Sequence, residues 1–172
     1  MPPPQPTKKQ SDEKPETSIN LDKYTGTYSN PGYGSVTLCD SSNSRNSSYC
    51  AQILSDFAAV DAHKSSQAAS SKPQLFAKWS RLWSSHVRLV YVADSDSKHQ
   101  FDVQLTTLFT EGFGADKTPF EIYESGLVEF VVESGKVVGL GVLGIVGDLT
   151  KSRGNTVQGK AEVWFDKIDN IE

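Results

Sequence analysis

Cysteine is scarce in this chain. Cys39 and Cys50 are the only two among 172 residues, too few for a disulfide-dense scaffold. No Cys-x-x-Cys pair suggests zinc or dithiol redox chemistry. Histidine is equally sparse: His63, His86 and His99 stand far apart, and none has the i, i+4 partner of a helical zinc-hydrolase motif. No metal or other cofactor is therefore expected. Long apolar runs are missing too. The longest uncharged glycine- and valine-rich stretch, Val137 to Gly147, has eleven residues and is too short to span a bilayer as a helix. No apolar segment follows a basic start at the N-terminus, so no signal peptide is recognisable. Charge of one sign is also lacking, with 17 Lys+Arg against 21 Asp+Glu and no basic block. That balance argues against a nucleic-acid or membrane-surface partner.

The length suits one domain, and a hydrophobic share of 37% suggests polar segments diluting a folded body. Residues 1–19 hold five of the eight prolines among Lys8, Lys9, Asp12, Glu13, Lys14 and Glu16, so they read as a Pro-rich linker or tail. Residues 20–170 carry the pattern of antiparallel sheet. Apolar Phe101, Val103 and Leu105 alternate with Asp102, Gln104 and Thr106. Val128, Phe130 and Val132 repeat the pattern, and Ser134-Gly135 offers a tight turn into Lys136-Val137-Val138. Val87, Leu89 and Tyr91 form another face, closed by a polar turn at Asp94 to Lys98, and Ala161, Val163 and Phe165 form the last. Earlier strands are expected at Tyr24–Tyr28, Tyr33–Asp40 and Tyr49–Ser55. Ser41–Ser48 and Lys64–Pro73 are expected as loops. Leu75–Trp83 reads either as a short helix or as a strand entering Val87. Seven or eight strands so spaced favour a barrel or sandwich.

Three motif matches fail on context. Gly139-Leu140-Gly141-Val142-Leu143-Gly144 spells a dinucleotide fingerprint, but no helical periodicity follows it. Its glycines are expected in a strand that bends or admits a close neighbour. Ser11-x-x-Lys14 falls in the Pro-rich segment and Ser95-x-x-Lys98 in a turn, where a lysine cannot be desolvated as a serine hydrolase requires. Asn46-Ser47-Ser48 fits the glycosylation sequon. Cys39 and Cys50 flank one loop, so they are either a staple across a hairpin, worth about 2–3 kcal/mol in an oxidising compartment, or two buried thiols. An oxidised pair would favour secretion of the parent protein. Trp164 should lie on the face opposite Val163 and Phe165, where exposure would mark a docking surface.

Residues 21–34, Leu-Asp-Lys-Tyr-Thr-Gly-Thr-Tyr-Ser-Asn-Pro-Gly-Tyr-Gly, resemble the opening of a lipocalin-like β-barrel domain. That domain is found at the C-terminus of penicillin-binding-protein and β-lactamase-related serine hydrolases of the D-aminopeptidase type. The similarity continues through Phe109–Gly114, Thr118-Pro119-Phe120, Val128–Gly139 and Val163-Trp164-Phe165, and is greatest to fungal members. The resemblance implies an all-β, eight-stranded antiparallel up-and-down barrel appended to a catalytic domain, acting in oligomerisation or active-site gating. The catalytic domain has no counterpart here, so no catalytic residue is carried over. The expected partner is such a serine hydrolase domain or a second copy of the chain.

Two other readings stand beside it. One is a free-standing binder of a small apolar ligand in the barrel interior, with Trp79, Trp83, Tyr91, Phe101 and Tyr28 as candidate lining. The other is a small barrel enzyme, an isomerase or cyclase, with Asp102, Glu129 and Glu133 as candidate acids, although each alternates onto a polar face.

Overall fold

The computed structural model describes residues 19–42, 47–63, 72–81, 84–108, 122–145 and 155–168. Eight strands run in chain order: β1 Gly26–Asn30, β2 Gly34–Leu38, β3 Gln74–Arg81, β4 Ser84–Tyr91, β5 Gln100–Thr107, β6 Ile122–Glu133, β7 Lys136–Leu143 and β8 Val163–Ile168. Helix α1, Ser48–His63, lies between β2 and β3, and the short α2, Val157–Lys160, precedes β8. All pairings are antiparallel and the sheet order is β2-β1-β8-β7-β6-β5-β4-β3. Sequence neighbours thus sit side by side, β8 returns to β1, and the sheet curls almost into the expected up-and-down barrel. It stays open between β2 and β3, which among the described residues meet in the single bridge Cys39↔Phe76.

Alternation decides which side chains enter the barrel. Val87 and Leu89 of β4, Phe101, Val103 and Leu105 of β5, Val128 and Phe130 of β6 and Phe165 of β8 are all buried in one core. Ser134 and Gly135 link β6 to β7 with φ of 50° and 81°, the paired positive values of a two-residue hairpin turn that matches strand twist. Gly139, Gly141 and their neighbours lie in β7, not at a helix start. A Cβ on Gly139 would overlap the Trp164 ring and stand 2.6 Å from the Phe165 carbonyl oxygen. Trp164 is therefore on the outer face, as alternation predicts, but it lies flat over β7 with its indole N–H on Asp166 Oδ1 at 2.9 Å. It is partly covered and not a free docking residue.

One expected element differs, and one left open is decided. Tyr49–Ser55 is not a strand: Ser48–His63 forms one helix whose Cys50, Ile53, Phe57 and Val60 recur at three- and four-residue spacing and are all buried. Ser47 Oγ accepts the Cys50 N–H at 3.3 Å at its start, so Ser48 belongs to the helix and not to a loop. Of the two readings of Leu75–Trp83, the strand is the one the described part takes. Strand β3 takes Gln74–Arg81, because Leu75, Ala77 and Trp79 alternate inward while Phe76 turns out beneath α1. Residues 1–18, Lys64–Ser71, Asn46, Trp83, Phe109–Gly114 and the Thr118-Pro119-Phe120 stretch lie outside the described residues. Ile19 is described and packs against the core.

Cys39 and Cys50 are joined, with Cα atoms 5.6 Å apart. The bond is not a hairpin staple. It ties the end of β2 to the first turn of α1. That helix lies over the outer face of β3 and β4, with Phe57 against Phe76 at 4.9 Å between centroids. Arg88 of β4 forks onto Asp61 at 2.8 and 3.3 Å and lies 4.8 Å over the Phe57 ring.

Two measurements check these assignments. Replacing both cysteines by serine should lower unfolding free energy in urea by about 3 kcal/mol, from the loop of 11 residues the bond closes, and should speed exchange of the Cys39 and Phe76 amides. Gly139→Ala should cost about 2–3 kcal/mol, because the new methyl meets backbone that cannot move aside.

Candidate functional site

Among the described residues the barrel interior is closely packed. A cavity of about 30 Å³ lies within it, lined by apolar residues including Val36, Leu89, Val103, Leu140, Phe165 and Trp79. That is about the share of one water molecule, against several hundred Å³ for a typical small-molecule pocket. The candidate lining residues are also divided between two places. Tyr28, Tyr91 and Phe101 join Tyr24 and Phe130 in an aromatic plug, with centroids 4.9 to 5.8 Å apart. Trp79 stands elsewhere, edge-on to Phe165 at 5.6 Å and 6.3 Å from Tyr33.

The plug is polar at its rim. The Tyr28 hydroxyl donates to the Tyr24 carbonyl at 2.8 Å, and the Tyr24 hydroxyl lies 2.7 Å from His99 Nδ1. Burial, then the nearby Tyr91, pushes the Tyr24 phenol up to about 12. Burial also raises Tyr28, with Tyr24 adding to it. His99 is lowered, first by burial and then by the Lys23 and Lys98 charges, with Glu129 opposing them.

A larger concavity than the interior one lies on the outside, where the sheet fails to close. It measures about 470 Å³ and is bounded by Tyr33, Ser35 and Thr37 on the β2 side and by Lys78, Trp79 and Ser80 of β3, with Tyr49 of α1 across one end. Its origin is the direction of two edges. Cys39 N–H donates to Phe76 O at 2.7 Å and Phe76 N–H to Cys39 O at 2.8 Å. In an antiparallel ladder every second residue faces the same neighbour. Thr37 and Ser35 therefore aim their backbone N–H and C=O groups at the gap, as does Lys78 from β3. Lys78 does not reach β2. Its N–H donates to the Tyr49 hydroxyl at 3.3 Å, and that hydroxyl donates to the Lys78 carbonyl at 3.4 Å. Both bonds are long. Burial raises the Tyr49 phenol, opposed by the Lys78 backbone bond. The Trp79 indole N–H donates to the Tyr33 carbonyl at 3.2 Å, so this ring separates the outer concavity from the interior.

One further cluster has a chemical look. Ser85 Oγ is 2.7 Å from His86 Nδ1, and His86 Nε2 is 2.9 Å from Asp56 Oδ2, the order of a nucleophile–base–acid relay. The imidazole, however, is 4% exposed and edge-on to Phe57 at 5.5 Å beneath α1. Both ring nitrogens are occupied, Nδ1 by the neighbouring Ser85 of β4 and Nε2 by Asp56 of α1, and the second bond holds the helix to β4 alongside Arg88–Asp61. Of the candidate acids, Asp102 and Glu133 are exposed and Glu129 is half-buried on the outer face of the sheet. Ser95, of the second Ser-x-x-Lys match, is in a turn and donates to Gln100 Oε1. Among the described residues no group of three or more His, Cys, Asp or Glu is placed to hold a metal ion, and no helix is long and apolar enough to cross a membrane.

Sequence reasoning placed Trp79 in the lining of the barrel interior, and did not single out Ser35, Thr37, Tyr49 or Lys78 as parts of this groove. The one available signal was the long connection from Leu38 to Gln74, which interrupts an otherwise close succession of strands.

The plug makes stability depend on pH. Because the fold lowers the His99 pKa, the unfolded chain binds the extra proton, and stability should fall as pH drops below 6.5. Because it raises Tyr24, stability should also fall as pH climbs from 10 towards about 12. Thermal unfolding across pH checks both: His99→Gln should flatten the slope between pH 5 and 7, and an unchanged slope would remove His99 as its source.

No protein-family model, curated protein or solved structure matches the chain.

Proposed function

We propose that this chain is a non-catalytic interaction domain that docks onto a serine hydrolase domain of the β-lactamase-related kind and gates or organises it. The observation that carries the reading is the contrast between a filled interior and an open strand seam. Among the described residues the interior cavity holds about 30 Å³, far less than a drug-sized ligand needs, which counts against the interior-binder reading. The surface instead offers two strand edges with backbone groups aimed outward, the feature that proteins either hide or use for pairing with another chain. The opening around Tyr24, Gly26 and Tyr28, where the resemblance is most specific, builds the plug that keeps the barrel full. The resemblance supplies the catalytic partner; the seam supplies a place for it.

Native mass spectrometry and calorimetry test this together. The purified chain should fly without a co-purified small molecule. Titration into the catalytic domain of a β-lactamase-related serine hydrolase from the same organism should give saturable heat and change its kcat/KM. A stoichiometric lipid or metabolite in the spectrum, or no heat and unchanged kinetics, would overturn the reading.

A further inference from the structure

We infer that the seam between β2 and β3 takes one extended polypeptide segment as an added strand, with an acidic side chain facing outward beside Lys78 and a small apolar side chain facing inward beside Trp79. The inference rests on the docking reading above and names the occupant.

Backbone geometry carries it first. Ser35 and Thr37 on one edge and Lys78 on the other present N–H and C=O groups toward the same gap, by the alternation that the Cys39–Phe76 bridge sets. The pairs Thr27↔Thr37 and Ser29↔Ser35 agree with this. Their side-chain hydroxyls touch across β1 and β2 at 2.9 and 3.3 Å, as expected of the closer, non-hydrogen-bonded pairs whose main-chain groups point away from one another. At Lys78 a side chain already imitates the missing strand. One hydroxyl, that of Tyr49, both accepts from the Lys78 N–H and donates to its C=O, the two bonds a peptide group pair would make. Its bonds are longer than a ladder's, and Tyr49 is exposed, so an incoming main chain can displace it.

Side-chain chemistry then selects the segment. Lys78 is exposed, and among the described residues its ammonium has no anionic partner, while Ser35, Thr37 and Ser80 add only hydroxyls. An outward acidic residue suits that rim. Successive residues of a strand point to opposite faces, so its neighbours point inward, toward Trp79 and the 30 Å³ apolar cavity, where there is room for little more than a methyl group. A second copy of this chain fits badly. Two β3 edges paired antiparallel about their Lys78 positions would place two ammonium groups side by side.

A phage-displayed library of random ten-residue peptides, panned against the intact chain, tests this. Enriched peptides should alternate, with Asp or Glu on one parity and Ala, Ser or Val on the other. A synthetic peptide of that sequence should slow amide exchange at Ser35, Thr37 and Lys78. Lys78→Glu bait should switch the preference to Lys or Arg. Tyr49→Phe should bind roughly two- to tenfold tighter, because a competing hydrogen bond is gone. Thr37→Pro should lose binding with its unfolding midpoint kept, since the N–H it removes faces the gap and not β1. Enrichment without alternation, protection elsewhere, or peptides indifferent to Lys78→Glu would overturn the inference. So would failure to enrich any peptide; if the catalytic domain still gave heat in that case, docking would stand and strand addition would fall.

Discussion

Everything distinctive in this molecule hangs on one bridge. Cys39 and Phe76 exchange two short backbone hydrogen bonds, and these are the only ladder contact between β2 and β3 among the described residues. Without them the eight strands would be an open curled sheet with two long free edges, an arrangement prone to indiscriminate pairing. The bridge does not stand alone. Cys39 is bonded to Cys50 in the first turn of α1, and Phe76 packs beneath Phe57 of the same helix. One helix therefore holds both partners of the closing pair, and Asp56–His86 and Asp61–Arg88 pin that helix to β4.

The same clamp explains why the seam opens. An up-and-down barrel would close with each consecutive pair of strands in register, but here the chain between β2 and β3 leaves the sheet to build α1. The two strands then meet at one end and part at the other. The exposed backbone is partly covered by side chains, the Tyr49 hydroxyl on Lys78 and the Trp79 indole on the Tyr33 carbonyl. These bonds, at 3.2 to 3.4 Å, are longer than the ladder bonds they replace, so this stretch of sheet edge is poorly satisfied, beside a clamp that keeps it in position. At the aromatic plug the balance is the opposite. Tyr24, Tyr28, Phe101 and Phe130 fill the barrel with close ring contacts, and the hydroxyls of both tyrosines are bonded.

How much of this was legible depended on period. Strands such as Phe101–Leu105 and Val128–Val132 alternate cleanly, and the Ser134-Gly135 turn has the chemistry of a two-residue hairpin, so the sheet could be read directly. Glycines 139 and 141 were readable as strand residues because no helical period followed them. Helix α1 was misread because its apolar residues are diluted by Ser, Ala and Asp, so that Tyr49–Ser55 taken alone alternates as well as it turns. Strand β3 was ambiguous for the converse reason. Leu75, Trp79 and Leu82 share a helical face on paper, while in the fold Phe76 is partly covered from the other side by α1.

The sequence by itself determined the β class, the hairpin, the turn-bound Ser-x-x-Lys and the strand-bound glycines, because each follows from local alternation and turn preference. Tertiary structure alone decided where the sheet stays open, that the described interior is closely packed, and that Ser35, Thr37, Tyr49 and Lys78 share one groove. The reason is physical. A strand's pattern states which face is buried, but not which neighbour its backbone meets, and closure depends on contacts between residues as distant as Cys39 and Phe76.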